Sequence, residues 1–395
     1  MLIYIIPLMV ILYFILSFSP AEQAKGKVWL GIWVFFIAMV CGLGDMLGGY
    51  DRYIYGQVFD YTADDRAIGV NLFTTTAFLY ADKELGYALY NYLVTYITSN
   101  RYIFILITTL VVFGMLYRHI IVYSRYPVMS FFILFCVFYF FTFTYFRQVM
   151  AVCVAWYAIP YAIQRRPIPF FAIIILAMTF HNSALLFSGI YFVANYRFTK
   201  KQIYYVILGA LLLGLTPISS FLFNSIGGAV NDEKADLSAS QVGGARIAYI
   251  VEAGFFLYII LKRYHRVGWD KNSLCMLNTA LGFIFILCFF VRFPDGGRMS
   301  WYYLIGVASC LSEIMVKENK RSDIRLISIF IFIVLYLRIL SLWGIQLRPY
   351  KSFLTNGVRP NDPIEEQYEY DHAYDKDKFY RPAWGGINKK NTINQ

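Results

Sequence analysis

The chain has 395 residues, of which 59% are hydrophobic and only 15% are charged, far more apolar content than a soluble core requires. Apolar stretches near the length of a bilayer crossing recur along nearly the whole chain, which excludes an ordinary soluble protein and predicts an all-α, polytopic membrane protein. The formal net charge of +11 does not indicate nucleic-acid binding, because lysines and arginines collect in short loops between the apolar stretches.

The apolar stretches predict about twelve membrane spans, with both termini on the outer side. The first stretch has no basic leader and no cleavage site, so we interpret it as a span and not as a removable signal peptide. The spans are predicted at 2–19, 28–44, 102–117, 128–146, 148–164, 168–180, 182–195, 202–224, 245–261, 273–291, 299–316 and 326–343. The short segments 168–180 and 182–195 have an alternative interpretation as a re-entrant pair that meets near His181. Basic residues at 25–27, 118–125, 165–166, 197–201, 262–271 and 317–325 then share the inner side, as the positive-inside bias requires.

The stretch 45–100 is predicted to be an outer loop that ends in an amphipathic helix. Its last part, ELGYALYNYLVTYITS (84–99), is short for a crossing, and a span there would break the charge alternation. We therefore expect a helix on the outer surface. The carboxylates of Asp60, Asp64 and Asp65 are interpreted as a solvated loop face.

Two domains follow: a helical transmembrane domain, 1–344, and a polar C-terminal tail, 345–395, on the outer side. The opening of the tail, LRPYKSFL, is expected to fold back on the outer face. The remainder has no apolar periodicity and is expected to be mobile or adsorbed to the surface.

The sequence predicts neither a metal site nor a bound cofactor. Its six cysteines lie in apolar segments without CxxC spacing, so we interpret them as packing residues. No Walker motif, no HExxH and no acidic metal clamp is present in the outer loops.

Arg147 interrupts the apolar run from Val128 to Ile163, within the segment FTFTYFRQVMAVC. About 19 apolar residues separate Pro127 from Arg147, which is one crossing at the helical rise of about 1.5 Å per residue. The run is therefore predicted to be two spans, with Arg147 at their outer junction. No Gly, Pro or Asn marks the reversal at Phe146–Gln148, so packing must hold it.

Further polar residues adjoin apolar runs on the same side. They are Asp45, Tyr50, Asp51, Arg52, Glu84, His181, Arg292 and Arg298. Each alone has a structural interpretation, such as a snorkelling anchor or a helix cap. Together they suit one ligand class, because arginine binds phosphate oxygens, carboxylates accept hydroxyl protons and aromatic rings stack on sugars. A lipid-linked pyrophosphate sugar meets all three demands.

Five ordered stretches resemble the EpsG family of Wzy-like membrane proteins of exopolysaccharide and capsule synthesis. They are GDMLGGYDRYIYGQ, ADKELGYALYNYLVTYITSNRYIF, YFRQVMAVCVAWYAI, FHNSALLFSGIYFV and RFPDGGRMSWYY, within roughly residues 28–354. The most specific motifs are the pair Arg147–Gln148 after an apolar span and the H-x-S-A-L motif that begins at His181.

The resemblance implies a GT-C-like fold and a metal-independent glycosyltransferase in the bacterial inner membrane, with its active site facing the periplasm or exterior. Such an enzyme transfers a growing glycan from undecaprenyl pyrophosphate onto a lipid-linked oligosaccharide repeat unit. The implied partners are that undecaprenyl-pyrophosphate-linked oligosaccharide, membrane lipid and, as a candidate, a chain-length regulator. No nucleic acid and no cofactor are implied.

The resemblance also implies roles for the polar residues. Arg147 would hold the pyrophosphate with help from Arg298 and Arg292, and Asp45 or Asp51 would orient or deprotonate the acceptor hydroxyl. The predicted catalytic residues are Asp45, Asp51, Arg147 and His181. The predicted substrate-binding residues are Tyr50, Arg52, Glu84, Gln148, Arg292, Arg298 and Tyr302.

Two other functions remain open at this point. A lipid-linked oligosaccharide flippase or transporter fits the span count, although the charges gather at one face instead of the midplane and no internal repeat is visible. A membrane sugar O-acyltransferase could use His181 as a base, although no second histidine stands near it in the sequence.

Overall fold

The computed structural model describes residues 2–44, 50–219, 245–293, 296–347, 350–354 and 380–387. These residues are helical, with isolated β-bridges and no strands, so the all-α prediction is confirmed. The α-helices are α1 (Leu2–Ser17), α2 (Pro20–Lys25), α3 (Lys27–Gly42), α4 (Tyr50–Ile68), α5 (Thr76–Tyr80), α6 (Leu85–Val94), α7 (Arg101–Tyr123), α8 (Pro127–Phe138), α9 (Phe146–Trp156), α10 (Ile159–Ile163), α11 (Pro167–Met178), α12 (Ile190–Val193), α13 (Lys200–Gly214), α14 (Ile247–Lys262), α15 (Lys271–Phe289), α16 (Gly296–Met299), α17 (Leu304–Lys317), α18 (Asp323–Leu342) and α19 (Gly344–Leu347). Short 3-10 helices lie at Leu72–Thr74, Tyr139–Phe143, Asn182–Gly189, Tyr264–Arg266 and Ser300–Tyr303.

Within the described residues, 5 helical segments are long and apolar enough to cross a membrane. They are Arg101–Tyr123, Phe146–Ile163, Lys271–Phe289, Gly296–Lys317 and Asp323–Leu342. Shorter apolar helices are Leu2–Ser17, Lys27–Gly42, Pro127–Phe143, Pro167–Met178 and Asn182–Val193. These helices indicate a multi-pass membrane protein, and the count of twelve spans stays a prediction.

One end of the helix bundle collects the basic loops, and we call it the basic end. Side chains bond from Lys320 to Ser17 O, from Tyr117 to Lys27 O, from Arg266 to Lys317 O, from Asn272 to Tyr123 O, from Tyr264 to Phe198 O and from Asn195 to Ile163 O. These bonds connect all six loops whose basic residues were predicted to share a side.

The opposite end, which we call the site end, holds the outer residues of the sequence prediction. The Tyr4 hydroxyl donates to Leu347 O at 2.9 Å, which joins the start of α1 to α19. Phe353 N donates to Leu43 O at 2.7 Å, after the end of α3. Residues 350–354 therefore fold back on this end, as expected for the opening of the tail.

The stretch predicted as an outer loop instead forms α4, a helix of 19 residues. Asp60 is only 4% exposed on this helix, and Arg101 Nε donates to its Oδ2 at 2.7 Å. Asp65 Oδ2 accepts a hydrogen bond from Thr76 N at 2.6 Å. The interpretation as a solvated loop face is wrong for Asp60 and Asp65, which lie on a helix and bond to other segments, and Asp64, whose side chain is 32% exposed, pairs with Arg381.

The predicted surface helix is shorter than the sequence suggested and corresponds to α6. Leu85, Leu89 and Leu93 recur at helical spacing and are 51%, 42% and 54% exposed, whereas Tyr87 and Ala88 are buried. One face of the helix therefore packs against the protein, and an apolar stripe on the other face is turned away from it.

One segment of the tail beyond 354 is described by the structure. Residues 380–387 contact the loop after α6, where Gly385 N donates to Ile97 O at 2.8 Å and Thr98 Oγ1 donates to Ala383 O at 2.6 Å. This segment is bonded to the protein with all of its residues exposed or half-buried, so of the two alternatives the structure fits surface adsorption and not a mobile tail. Residues 355–379 and 388–395 lie outside the described part.

The chain reverses direction before Arg147, at 139–145, and not at Phe146–Gln148 as predicted. The reversal contains the 3-10 helix after α8, in which Thr142 Oγ1 donates to Tyr139 O at 2.6 Å. Arg52 Nη1 donates to Phe143 O at 3.4 Å from α4. Side-chain hydrogen bonds therefore hold a turn that has no Gly, Pro or Asn.

The helices pack closely around small side chains. Gly306 of α17 faces α15, where a Cβ atom would come within 2.4 Å of Ala280 N. All six cysteines are buried and none forms a disulfide bond, in agreement with their interpretation as packing residues.

Candidate active site

The site is built around an ion pair between Arg147 and Glu84. Arg147 is the second residue of α9, and Glu84 precedes α6, so two helix N-termini present the pair. The Arg147 Nη1 and Glu84 Oε2 atoms are 2.6 Å apart, and their side chains are 14% and 10% exposed. An isolated charge at such burial is costly. Each side chain of the pair therefore needs either its partner or a ligand that carries the partner's charge.

Tyrosine rings surround the Arg147 guanidinium. Its Nε donates to the Tyr55 hydroxyl at 3.3 Å, and its central carbon lies 5.1 Å from the ring centroid of Tyr80. Burial raises the pKa of Tyr55 above its ordinary value, although Arg147 opposes the shift. The phenol therefore stays neutral at physiological pH and can serve as both donor and acceptor.

Glu84 extends the ion pair to the turn that carries His181. The second carboxylate oxygen, Glu84 Oε1, accepts a hydrogen bond from Asn182 N at 3.4 Å. His181 caps the following 3-10 helix, with its Nδ1 atom 2.6 Å from Ser183 Oγ. The same hydroxyl lies 2.9 Å from the Tyr302 hydroxyl. A bonded path thus runs from Arg147 through Glu84 to the His181 turn and Tyr302.

A glycine allows α6 to approach that turn. Gly86 N donates to Thr179 O at 2.9 Å, two residues before His181 in the chain. A Cβ atom on Gly86 would lie 2.1 Å from Thr179 Oγ1, well inside van der Waals contact. Only glycine therefore fits where α6 brings Glu84 to the site.

Gln148 brings a second arginine to the same region. Its Nε2 donates to Arg298 O at 3.0 Å, while Arg298 Nε donates to its Oε1 at 3.1 Å. The Arg298 guanidinium carbon lies 4.1 Å from the ring centroid of Tyr145. Arg298 and Glu84 both act electrostatically on Tyr302, so Arg298 belongs to the same polar cluster as the Arg147–Glu84 pair.

Other predicted residues lie elsewhere or have structural contacts. Arg52 is 0% exposed, and its Nη2 donates to Gly44 O at 2.7 Å and to Cys41 O at 2.9 Å, which joins α4 to α3. One hydrogen bond of Arg292 leads to Leu215 O at 3.5 Å, after α13. Asp51 is half-buried on α4 and acts electrostatically on Tyr55. Asp45 lies outside the described residues, and for Tyr50 only the backbone at the start of α4 is described.

Sequence reasoning missed three contributors: Tyr55, Tyr80 and Ser183. Tyr55 follows Arg52 by three residues, the spacing of one helical face, but the α4 stretch was interpreted as a loop. Ser183 stands inside the H-x-S-A-L motif, where its hydroxyl could have been considered beside His181. Nothing in the sequence signals the proximity of Tyr80 to Arg147.

The cluster is suited to a polyanionic ligand. No group of three or more His, Cys, Asp or Glu within the described ranges could hold a metal ion. Arg147 and Arg298 instead supply forked, permanently charged donors, and neutral tyrosine hydroxyls add further hydrogen bonds. Such a donor set matches phosphate oxygens.

An apolar cavity shares structural segments with the polar cluster, although no residue of the cluster lines it. Its volume is about 360 Å³, and it is lined mainly by α13, α15 and the 3-10 helix after His181. Leu186 and Gly189 of that 3-10 helix line it, as does Tyr303, the neighbour of Tyr302. The cavity and the cluster therefore share two structural segments.

Comparison with known proteins agrees with the sequence resemblance. The family model described as the EpsG family matches residues 27–352, which is most of the chain. Searches of the curated proteins and of the solved structures gave no match. The chain belongs to the EpsG family, a family of Wzy-like polysaccharide polymerases.

Proposed function

We propose that the protein polymerises a cell-surface polysaccharide by transferring a growing glycan from undecaprenyl pyrophosphate onto a lipid-linked oligosaccharide repeat unit. The observation that carries the proposal is the buried Arg147–Glu84 pair, joined to the His181 turn and neighboured by Arg298. This arrangement places two guanidinium groups beside aromatic rings and a carboxylate, in a chain whose family consists of polysaccharide polymerases.

In the proposed reaction, the acceptor hydroxyl oxygen attacks the anomeric carbon of the donor glycan. The bond between that carbon and the pyrophosphate oxygen breaks, and undecaprenyl pyrophosphate leaves with the electron pair. Arg147 and Arg298 stabilise the charge that develops on the leaving group. Asp45 or Asp51 accepts the hydroxyl proton, since Glu84 is already engaged by Arg147 and Asn182.

The apolar cavity supports the lipid part of the proposal. The lipid carrier has a long hydrocarbon chain that must stay out of water while its pyrophosphate is bound. The cavity lined by Tyr303 offers about 360 Å³ of apolar volume, and the 3-10 helix that lines it begins directly after His181. We propose that the hydrocarbon chain of the carrier occupies this cavity while its pyrophosphate binds Arg147.

The wider setting is part of the same proposal. We infer a GT-C-like bundle of about twelve spans in the bacterial inner membrane, with the basic end inside and the site end facing the periplasm or exterior. The shared location of the six basic loops supports this orientation. A chain-length regulator stays a candidate partner.

Replacing Arg147 by Ala tests the proposal. Purified full-length protein is incubated with a defined lipid-linked repeat unit, and products are resolved as a ladder on a gel. We expect Arg147→Ala to lower chain extension by about 100-fold or more, because it removes a charge used in the transition state. Arg147→Lys should restore only part of the activity, since a point charge does not replace a bidentate fork.

Arg263→Ala is the matched control, because Arg263 forms an arginine–glutamate pair at the basic end. Its ladder should equal that of the native protein. A normal ladder from the folded Arg147→Ala variant contradicts the proposed function.

One contact favours a second candidate, a membrane sugar O-acyltransferase. Ser183 Oγ lies 2.6 Å from His181 Nδ1, a distance at which an imidazole can activate a hydroxyl. Acyl transfer to a sugar that is lost in Ser183→Ala, together with an absent polymer ladder in the native protein, would support this function over the polymerase.

A further inference from the structure

The segment 380–387, YRPAWGGI, lies outside the region matched by the family model and binds the site end. We call it the C-terminal strap. It bonds to the loop between α6 and α7, where Asn100 Nδ2 donates to Arg381 O at 3.1 Å and Thr98 Oγ1 donates to Ala383 O at 2.6 Å. Main-chain acceptors and donors along the strap are thus paired with one loop.

The strap also bonds to α4. Arg381 Nη1 donates to Asp60 O at 3.0 Å, and Arg381 Nη2 lies 2.8 Å from Asp64 Oδ2. The Tyr380 hydroxyl donates to Asp60 Oδ2, the oxygen that also accepts from Arg101 at the start of α7. One carboxylate therefore ties together α4, α7 and the strap.

Burial makes this junction costly to open. Burial raises the pKa of Asp60 above its ordinary value, and the neighbouring Arg101 opposes the shift. Asp60 is 4% exposed and Arg101 is 1% exposed. Loss of a strap donor leaves part of a buried carboxylate without compensation, which favours movement of α4.

The position of Tyr55 on α4 connects the strap to the site. Arg52 fixes the start of the helix to main-chain oxygens of Cys41 and Gly44. Asp60 fixes its second half, about 7.5 Å further along the axis than Tyr55 at the helical rise. Tyr55 lies between these two anchors and bonds to Arg147.

We propose that the C-terminal strap is a positioning element, which holds α4 against α7 and thereby holds Tyr55 in contact with Arg147. The kinetic part of this inference rests on the proposed function, whereas the clamping of α4 does not. The expected consequence of weakening the strap is faster local opening of α4 and poorer binding of the lipid-linked substrate.

Reversal of one ion pair in the full-length protein tests the clamp. Arg381→Asp and Asp64→Arg each place like charges together, and the double variant restores the pair with opposite polarity. Amide hydrogen exchange of the peptides from α4 should become about tenfold faster in each single variant and return towards the native rate in the double variant. Trp384→Ala is the control, because this strap side chain is 66% exposed, and its exchange should equal the native rate.

Unchanged exchange in both single variants overturns the clamp. So does a double variant that exchanges as fast as the single variants. Both results are read without polymerase activity, so they stay decisive even if the proposed function fails.

Kinetics test whether the strap acts through Tyr55. Arg381→Asp should lower kcat/KM for the lipid-linked repeat by about fivefold, mainly through KM, and the double variant should recover it. In a Tyr55→Phe background, Arg381→Asp should cause no further loss. Two effects that multiply independently contradict positioning through Tyr55.

Discussion

The two ends of the helix bundle each hold an arginine–glutamate pair, and the two pairs have different surroundings. At the site end, Arg147 and Glu84 are 14% and 10% exposed. At the basic end, Arg263 and Glu318 are 25% and 6% exposed, and Arg266 also lies 3.7 Å from Glu318. Burial acts to raise the pKa of Glu318, but hydrogen bonds from Arg263 and Ser322 lower it below its ordinary value.

The difference lies in what else each arginine contacts. Arg266 donates to Lys317 O, so the basic-end cluster fixes one loop to another. Arg147 instead faces Tyr55 and Tyr80, and its carboxylate partner reaches the His181 turn. A charged pair alone does not identify a binding site, whereas a buried pair with aromatic and hydroxyl neighbours suits a ligand.

The largest effect is expected when the glutamate carboxylate is removed from the ion pair at each end of the helix bundle. Glu84→Gln leaves Arg147 without its counter-charge, so we expect the free energy of unfolding to fall by about 2 kcal/mol. A bound pyrophosphate lipid should supply the missing negative charge. Thermal unfolding in detergent should therefore show a larger increase in Tm on adding that lipid to Glu84→Gln than to the native protein.

Glu318→Gln is the matched variant at the basic end. It should also lose stability, because Arg263 and Arg266 lose their partner. The lipid should raise its Tm no more than that of the native protein. An equal response of the two variants would remove the distinction between the ends.

A smaller effect is expected from Gly86→Ala, which tests whether close approach of α6 builds the site end. The added methyl group would collide with Thr179 and displace Glu84, so we expect kcat/KM for chain extension to fall about tenfold. Gly114→Ala in α7 is the control, since a Cβ atom there has nothing within 4 Å. It should retain activity and gain up to about 1 kcal/mol of stability from its better helix propensity. Native activity in Gly86→Ala would show that the contact is dispensable.

The smallest expected effect comes from Tyr55→Phe, which keeps the ring and removes the hydroxyl. The lost hydrogen bond to Arg147 is 3.3 Å long, so we expect about a fivefold rise in KM for the lipid-linked repeat and little change in kcat. Tyr90→Phe removes a hydroxyl that bonds to Thr108 instead, and initial-rate measurements should show native kinetics. A Tyr55→Phe enzyme with the native KM would limit Tyr55 to a packing role.

Much of the fold could be predicted because the bilayer fixes the length of a crossing. Counting residues placed Arg147 at the junction of two spans, and the structure has it in the first turn of the second one, just after the reversal. The distribution of basic residues predicted that six loops share one side of the membrane. In the structure, hydrogen bonds link those loops at the basic end. The exact reversal at 139–145 escaped prediction, because an arginine 91 residues away contributes to it.

Several residues predicted for the site lie together in the structure, whereas Tyr55, Tyr80 and Ser183, which join them, were not predicted. Glu84, Arg147, His181 and Tyr302 adjoin apolar runs, and the structure links them through Asn182 and Ser183. The helix α4 was not predicted, because the polar residues of this stretch gave no sign that Asp60 would be buried. Its partner, Arg101, lies 41 residues further along the chain. The strap was missed for the same reason, since main-chain bonds to a distant loop leave no periodic pattern.

The six buried cysteines have a practical consequence for labelling. None is in a disulfide bond and all are packed among helices, so the native protein offers little accessible thiol to a bulky reagent. One cysteine introduced at an exposed position would then be the main site of reaction with a membrane-impermeant maleimide. Placed at Trp384 or at Lys320, it would report from intact cells which end of the bundle faces the medium, without first removing the native thiols.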